Sequence, residues 1–319
     1  MRRLGILVLL VLTGCGSSTQ HLGAAEPARA PATTAAPAGT STSLGSAPQG
    51  IVYDPSTHQL AVAVHDPYRL LLLDSRTLAV RRSVPLDGKA RHLQIGGGRV
   101  LVPVETANQL VQVPLDGGPV VTTRVQRHPH DATIAPNGDV FVGNEFSGSI
   151  SLVRDGRLVR SVKGPQQPGG VHAFGDQLAV VDVGSFTVSV YTDSLRRVAR
   201  HSAGAGPTHG VLVGDDHFVV ADTRGGDLLL FGLNPLRRLD RVHVGHSPYG
   251  MAGDESTGTA WVSLTGSNRL VGYRVDGDRL VRTSSYATVR QPDTVAVAPG
   301  GHDLWVTGTA DGVIEHIAR

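Results

Sequence analysis

An all-β ring of seven four-stranded antiparallel blades, a β-propeller, is predicted for residues 39–319 from three observations. A short segment recurs as PQGIV (48–52), ARHLQ (90–94), PHDAT (129–133), PGGVH (168–172), PTHGV (207–211), PYGMA (248–252) and PDTVA (292–296), at spacings of 42, 39, 39, 39, 41 and 44 residues. A period near 40 with strand-like content marks a propeller. Each recurrence is followed by an apolar strand: QLAVAV, RVLVPV, DVFVGN, QLAVVD, HFVVAD, TAWVSL and DLWVTG. Finally, no 3.6-residue apolar stripe runs through the units, as a helical repeat of similar period would need.

The chain opens MRRLGILVLLVLTGCGSS: two arginines, an apolar run from Leu4 to Leu12, then small residues. This is the pattern of a secretory signal. The run is far short of the ~20 residues that span a bilayer. Leu12-Thr13-Gly14-Cys15 resembles a bacterial lipobox. The resemblance implies cleavage after residue 14 and a diacylglyceryl group on Cys15, the chain's one cysteine, which excludes an intramolecular disulfide. The expected location is the outer face of a bacterial cell membrane, held by a lipid anchor. Residues 15–38 are mostly Ala, Pro, Thr, Ser and Gly. Such a segment buries too little surface to offset its ordering entropy, so a disordered tether is expected there.

Within the ring the third unit shows the pattern. A first strand near Ala132–Ala135 is followed by an Asn137-Gly138 turn. VFVG (140–143), a short polar loop and SISLV (149–153) come next; then Asp155-Gly156 turns into RLVRSV (157–162). Asn-Gly and Asp-Gly are the strongest short-range hairpin signals. The seventh unit ends one strand short, at GVIEHIAR. The segment Gly39–Leu44 is expected to supply the missing outer strand and remove the exposed edge.

Charge excludes several partners. Basic residues number 29 and acidic ones 27; without Arg2 and Arg3 of the leader the count is 27 against 27. No basic run remains, so nucleic acid is not expected as a partner. There is no phosphate-binding loop, dinucleotide fingerprint, HExxH, CxxC or GxSxG motif.

Propeller topology gathers distant positions. The start of each first strand and the loop after each second strand share one rim of the central channel. Blade starts bring His92, His130 with Asp131, His172 and His209 to that rim; the loops after second strands bring Glu105 and Glu145. Tyr249 and Asp293 stand at the starts of blades six and seven. These nine residues are the candidate ligand-binding set. Imidazole and carboxylate together can hold a divalent metal, the one cofactor the sequence suggests, or act as acid and base near neutral pH. Asp182 and Asp222, which end second strands, are expected to cap loop backbone instead. His128, before a proline, is expected to be a solvated loop residue.

VFVGNEFSGSISLV (140–153) resembles the YVTN-type propeller repeat, and FVVADTRGGDLLLF (218–231) resembles the NHL version. The resemblance covers about 270 residues and implies fold more than function. Two readings follow. One is a membrane-anchored binding or scaffolding module, presenting its channel rim to a small molecule or an envelope protein. The other is an enzyme using the His/carboxylate crown; at the level of fold the chain resembles propeller lactonases and streptogramin-type C–O lyases. A monomer is expected.

Overall fold

The computed structural model describes residues 23–319. The leader and Cys15 lie outside the described residues. Seven four-stranded antiparallel sheets form the ring. Blade 3 runs Pro129–Ile134, Val140–Asn144, Ser149–Arg154 and Arg157–Lys163, and its strands neighbour one another in sequence order. Five other blades repeat this plan, and the seventh takes its outer strand from the N-terminal side.

The inner strands are apolar on both faces because each blade is sandwiched between two others. Gln59–His65 and His217–Asp222 are almost wholly buried, whereas the outer strands Val80–Pro85 and Arg157–Lys163 are largely exposed. The core is therefore a set of interblade clusters rather than one centre. Ala61, Leu70 and Leu72 of blade 1 pack on Val100, Val102 and Val111 of blade 2. Trp305 of blade 7 packs on Ile51, Leu60 and Val62 of blade 1 and closes the circle.

Turn chemistry holds the register. Asp155 and Gly156 both have positive φ, 48° and 71°, as a two-residue hairpin turn matching the strand twist requires. The first strand of blade 3 begins three residues earlier than its hydrophobicity suggests, at Pro129.

Ring closure follows the sequence expectation. Thr40–Ser43 pairs antiparallel with the third strand of blade 7, Val313–Ala318, with Thr40 opposite His316 and Ser43 opposite Val313. Glu315, fully buried, fastens this seam: its carboxylate accepts the amides of Gly39 and Val289, each at 2.8 Å. Glu315→Ala leaves two amides without their acceptor and should cost about 2 kcal/mol. Urea unfolding measures this; an unchanged midpoint would show that the seam contributes nothing.

Residues 23–38 are not a free tether. They carry no regular structure until Thr40 but lie along the rim of blades 5 to 7. Ser247 Oγ accepts the Ala28 amide, Gln291 bonds both Ala28 and Ala30, and Asn268 Nδ2 donates to the Pro31 carbonyl. Arg224 reaches the Gly23 carbonyl at 2.7 Å, and Ala25 and Ala30 are buried. Small side chains let the backbone lie close to the rim, and backbone hydrogen bonds replace the apolar burial that the composition lacks.

Candidate functional site

Two local devices build the crown. In six blades the pairing of first and second strands breaks just inside the initial proline. Such bulges re-aim side chains and recur beside functional sites. His130, His209, Tyr249 and Asp293 all occupy the unpaired positions. In blade 2 the ladder starts only at Gln94, leaving Arg91 and His92 free in the same way. The second device is a single 3₁₀ turn after the second strand: Glu105–Ala107, Glu145–Ser147 and Thr265–Ser267. Each ends in a left-handed residue, Asn108, Gly148 or Asn268, types that tolerate positive φ. The Glu105 amide bonds the Lys89 carbonyl and the Glu145 amide bonds the His128 carbonyl. Each turn is thus tied to the start of its own blade, which brings the two glutamates beside the histidines.

The resulting cluster is dense. Arg91 Nε donates to both oxygens of Glu105, at 3.0 and 3.3 Å. His130 Nδ1 lies 3.0 Å from Glu105 Oε1 and 3.4 Å from Glu145 Oε2. His92 Nε2 and His209 Nε2 are 3.1 Å apart, and His209 Nδ1 is 3.0 Å from the Tyr249 carbonyl. The Tyr249 ring meets His209 edge-on at 4.5 Å. Gln167 Nε2 donates to Glu145 Oε1 at 3.0 Å.

His128 corrects the sequence reading. It is not solvated: Nδ1 is 3.0 Å from Glu145 Oε2, and the ring stacks on Phe146 at 3.9 Å. Its φ of 56° is unusual for a residue other than glycine and turns it back over the 3₁₀ segment. Arg91 and Gln94 were equally invisible as site residues.

Asp131 and His172 form a separate group deeper in the channel. Asp131 accepts Gln94 Nε2 and the amides of Ala132 and Val171, which ties blades 2, 3 and 4 together. His172 Nε2 stands 3.7 Å from Asp131, and its ring packs on Phe218. Asp293 sits at the start of blade 7 and feels Arg91 and Lys89 only through charge. Asp182 and Asp222 cap loops, as expected: Asp182 accepts the amides of Gln166 and Gln167, and Asp222 those of Ala205 and Gly206.

Burial and charge set the protonation states. Burial would raise Glu105, but the His130 hydrogen bond and the charges of His130 and Arg91 overcome it and hold the carboxyl at about 2. Glu145 is lowered against its own burial by His128 and His130. Burial depresses His92 well below the ordinary range and His209 to about 3, with neighbouring charges adding to it, so both imidazoles are neutral. Asp293 goes the other way: burial lifts it to about 6, against the pull of Arg91 and Lys89.

Below the crown lies a channel cavity of about 430 Å³. His92, His172 and His209 line it toward the crown; Ile51, Leu93 and Val295 are among its apolar walls, and it extends to Tyr53 and Glu255 beside the first-to-second-strand turns. On the opposite side the crown is covered. Ala25 lies against Gly206, and the Glu26 charge reaches Tyr249 and Asp293. The segment thus covers the rim at blades 5 to 7.

No known family model and no curated protein matches the chain. Solved structures do. A streptogramin B lyase shares 13% identity over 87% of this chain and 96% of its own, with a TM-score of 0.76. Virginiamycin B lyase from Staphylococcus aureus shares 15% over 87% and 98%, with a TM-score of 0.74. A chain of the mitotic checkpoint complex shares 12% over 92% and 98%, with a TM-score of 0.76. At such identities, with lyases and WD40-type assemblies matched equally well, the likeness is one of fold: a seven-bladed β-propeller.

Proposed function

We propose that the protein is an exported β-propeller, anchored by lipid on Cys15 at the outer face of a bacterial membrane, that binds a small molecule in its channel. The cavity carries this reading. Its volume falls in the ~300–1,000 Å³ range of ligand pockets, and its lining sets His92, His172 and His209 beside apolar walls that include Ile51, Leu93 and Val295. The ligand class is a compact molecule with an apolar body and a polar head directed at His92, His172 and His209. A protein partner fits less well, because Glu105, His130, Asp131, Glu145, Tyr249 and Asp293 are buried.

A second reading is supported by the His130–Glu105 pair. An imidazole held by a buried carboxylate is the arrangement of a general base. Opening of a lactone, or elimination that breaks an ester C–O bond, is the matching reaction class.

Thermal shift against cyclic esters, sugar lactones and small aromatic carboxylates tests both readings, with turnover followed by chromatography. A ligand at a hundred times its Kd adds ~2.7 kcal/mol of stability, which raises Tm by about 5 °C in a domain of this size. A shift that is lost in His172→Gln supports binding in the channel. Turnover lost in His130→Gln moves the protein to the enzyme reading, and a panel that produces neither defeats both. Anchoring is read separately: Cys15→Ser should move the protein from the membrane fraction to the soluble one, and unchanged fractionation would refute the anchor.

A further inference from the structure

We propose that His92, His130 and His209 form a three-histidine site for one divalent first-row transition ion of the zinc class, at the crown end of the channel. One ligand nitrogen from each histidine lies within 4.8 Å of the other two. His92 Nε2 and His209 Nε2 are already 3.1 Å apart. Three nitrogens at ~2.0–2.1 Å from a tetrahedral ion sit about 3.3 Å from one another. The His92–His209 separation already matches this spacing.

The outer contacts carry the argument further. A metal-binding histidine normally commits its second ring nitrogen to a carboxylate or a backbone carbonyl, which fixes the tautomer and aims the lone pair. His209 commits Nδ1 to the Tyr249 carbonyl, leaving the Nε2 lone pair. His130 turns Nδ1 toward the buried Glu105, which Arg91 also holds. The three residues come from blades 2, 3 and 5, so the site is set by the ring itself and not by one flexible loop. Imidazole donors select zinc, cobalt, nickel or copper over magnesium and calcium, which prefer oxygen. His92 and His209 also line the cavity, so a fourth coordination position would face the channel.

Glu105, His128 and His130 form a second grouping with ligand atoms at similar separations. There Glu105 is already bonded to Arg91, whose fixed positive charge opposes a cation on that carboxylate. In the three-histidine arrangement the His92 and His209 nitrogens bond each other, a contact that an ion held between them would replace, and Arg91 acts on them only through charge.

Co²⁺ is the probe, added to the purified whole protein prepared without chelator or a nickel column, and then competed with Zn²⁺. One equivalent should bind with the intense visible bands of four-coordinate cobalt, and zinc should displace it. His92→Gln and His209→Gln should each weaken uptake about 100-fold or more, and Glu105→Gln about 10- to 100-fold through its hold on His130. His172→Gln and His128→Gln should retain binding. Absence of uptake by the unmodified protein overturns the proposal. So does uptake unchanged in both His92→Gln and His209→Gln, or uptake lost in His128→Gln but kept in His92→Gln. If these variants do not fold, zinc K-edge absorption on the unmodified protein decides: three imidazoles support the site and fewer overturn it. Metal is read here with no organic ligand present. A channel that binds small molecules but no metal removes this proposal alone, and metal uptake without any channel ligand removes only the small-molecule reading.

Discussion

Arg91→Met should destabilise the fold by about 3–5 kcal/mol, because it leaves buried carboxylates without their fixed cation. Arg91 bonds Glu105 directly, and its charge also acts on Glu145, Tyr249 and Asp293. Methionine fills similar volume but brings no charge. The pH dependence identifies the cause. Glu105 titrates near 4.5 when unfolded and at about 2 when folded, so its contribution is present above 4.5 and lost as pH falls through 2. That window holds ~3 kcal/mol. In Arg91→Met the Glu105 carboxyl should rise toward its ordinary value, and the acid loss between pH 4.5 and 2 should flatten. Urea unfolding across pH 2–8 measures both effects. The double variant Arg91→Met/Glu105→Gln should recover part of the loss, since it removes the stranded charge along with its partner. A single variant as stable as the unmodified protein at pH 7, with an unchanged acid limb, would show that His128 and His130 alone carry the charge balance of the crown.

The fold was legible because its signals are local. Period, second-strand apolarity and Asn-Gly or Asp-Gly turns each act over a few residues, and together they specify seven blades. Ring closure by Thr40–Ser43 was legible for a different reason: a blade lacking its outer strand leaves an unpaired edge, and one segment stood close enough to supply it. Most of the crown could be assembled from topology, since blade starts and second-strand exits must meet at one rim. His92, Glu105, His130, Glu145 and His209 do meet there. What topology did not separate was depth. His172 belongs to a paired position of its strand, opposite Ala179, and falls lower in the channel with Asp131. His128 was missed because a residue before proline reads as loop, and only the 3₁₀ turn bearing Glu145 and Phe146 folds back over it. Arg91 was missed because a charged residue beside a histidine has no periodic signature. The path of residues 23–38 was the least legible. It is held largely through backbone groups, which every sequence supplies, so composition alone read it as a tether.

Asp293→Asn should stabilise the protein above neutrality and leave it unchanged in acid. The carboxyl is pushed to about 6 by burial, while its ordinary value is 3.8. A raised folded value means the favourable contribution is complete below 3.8, where both states are protonated, and disappears as pH rises through 6. The loss is ~3 kcal/mol. Asparagine has the same shape and no proton to lose, so the variant escapes it: Tm should exceed that of the unmodified protein by several degrees at pH 8 and match it near pH 3.5. The physical reason lies in how Arg91 is shared. Glu105 takes the direct hydrogen bonds of Arg91, and Asp293 receives the more distant attraction of Arg91 and Lys89 and a hydrogen bond from Gln49, opposed by burial and by Glu26 in the covering segment. A buried carboxylate raised in this way is the kind of perturbed group that clusters at working sites. Asp293→Asn that is less stable than the unmodified protein at pH 8 would reverse the inference, placing Asp293 in a true ion pair with Arg91 and making Glu105 the carboxylate left free for chemistry.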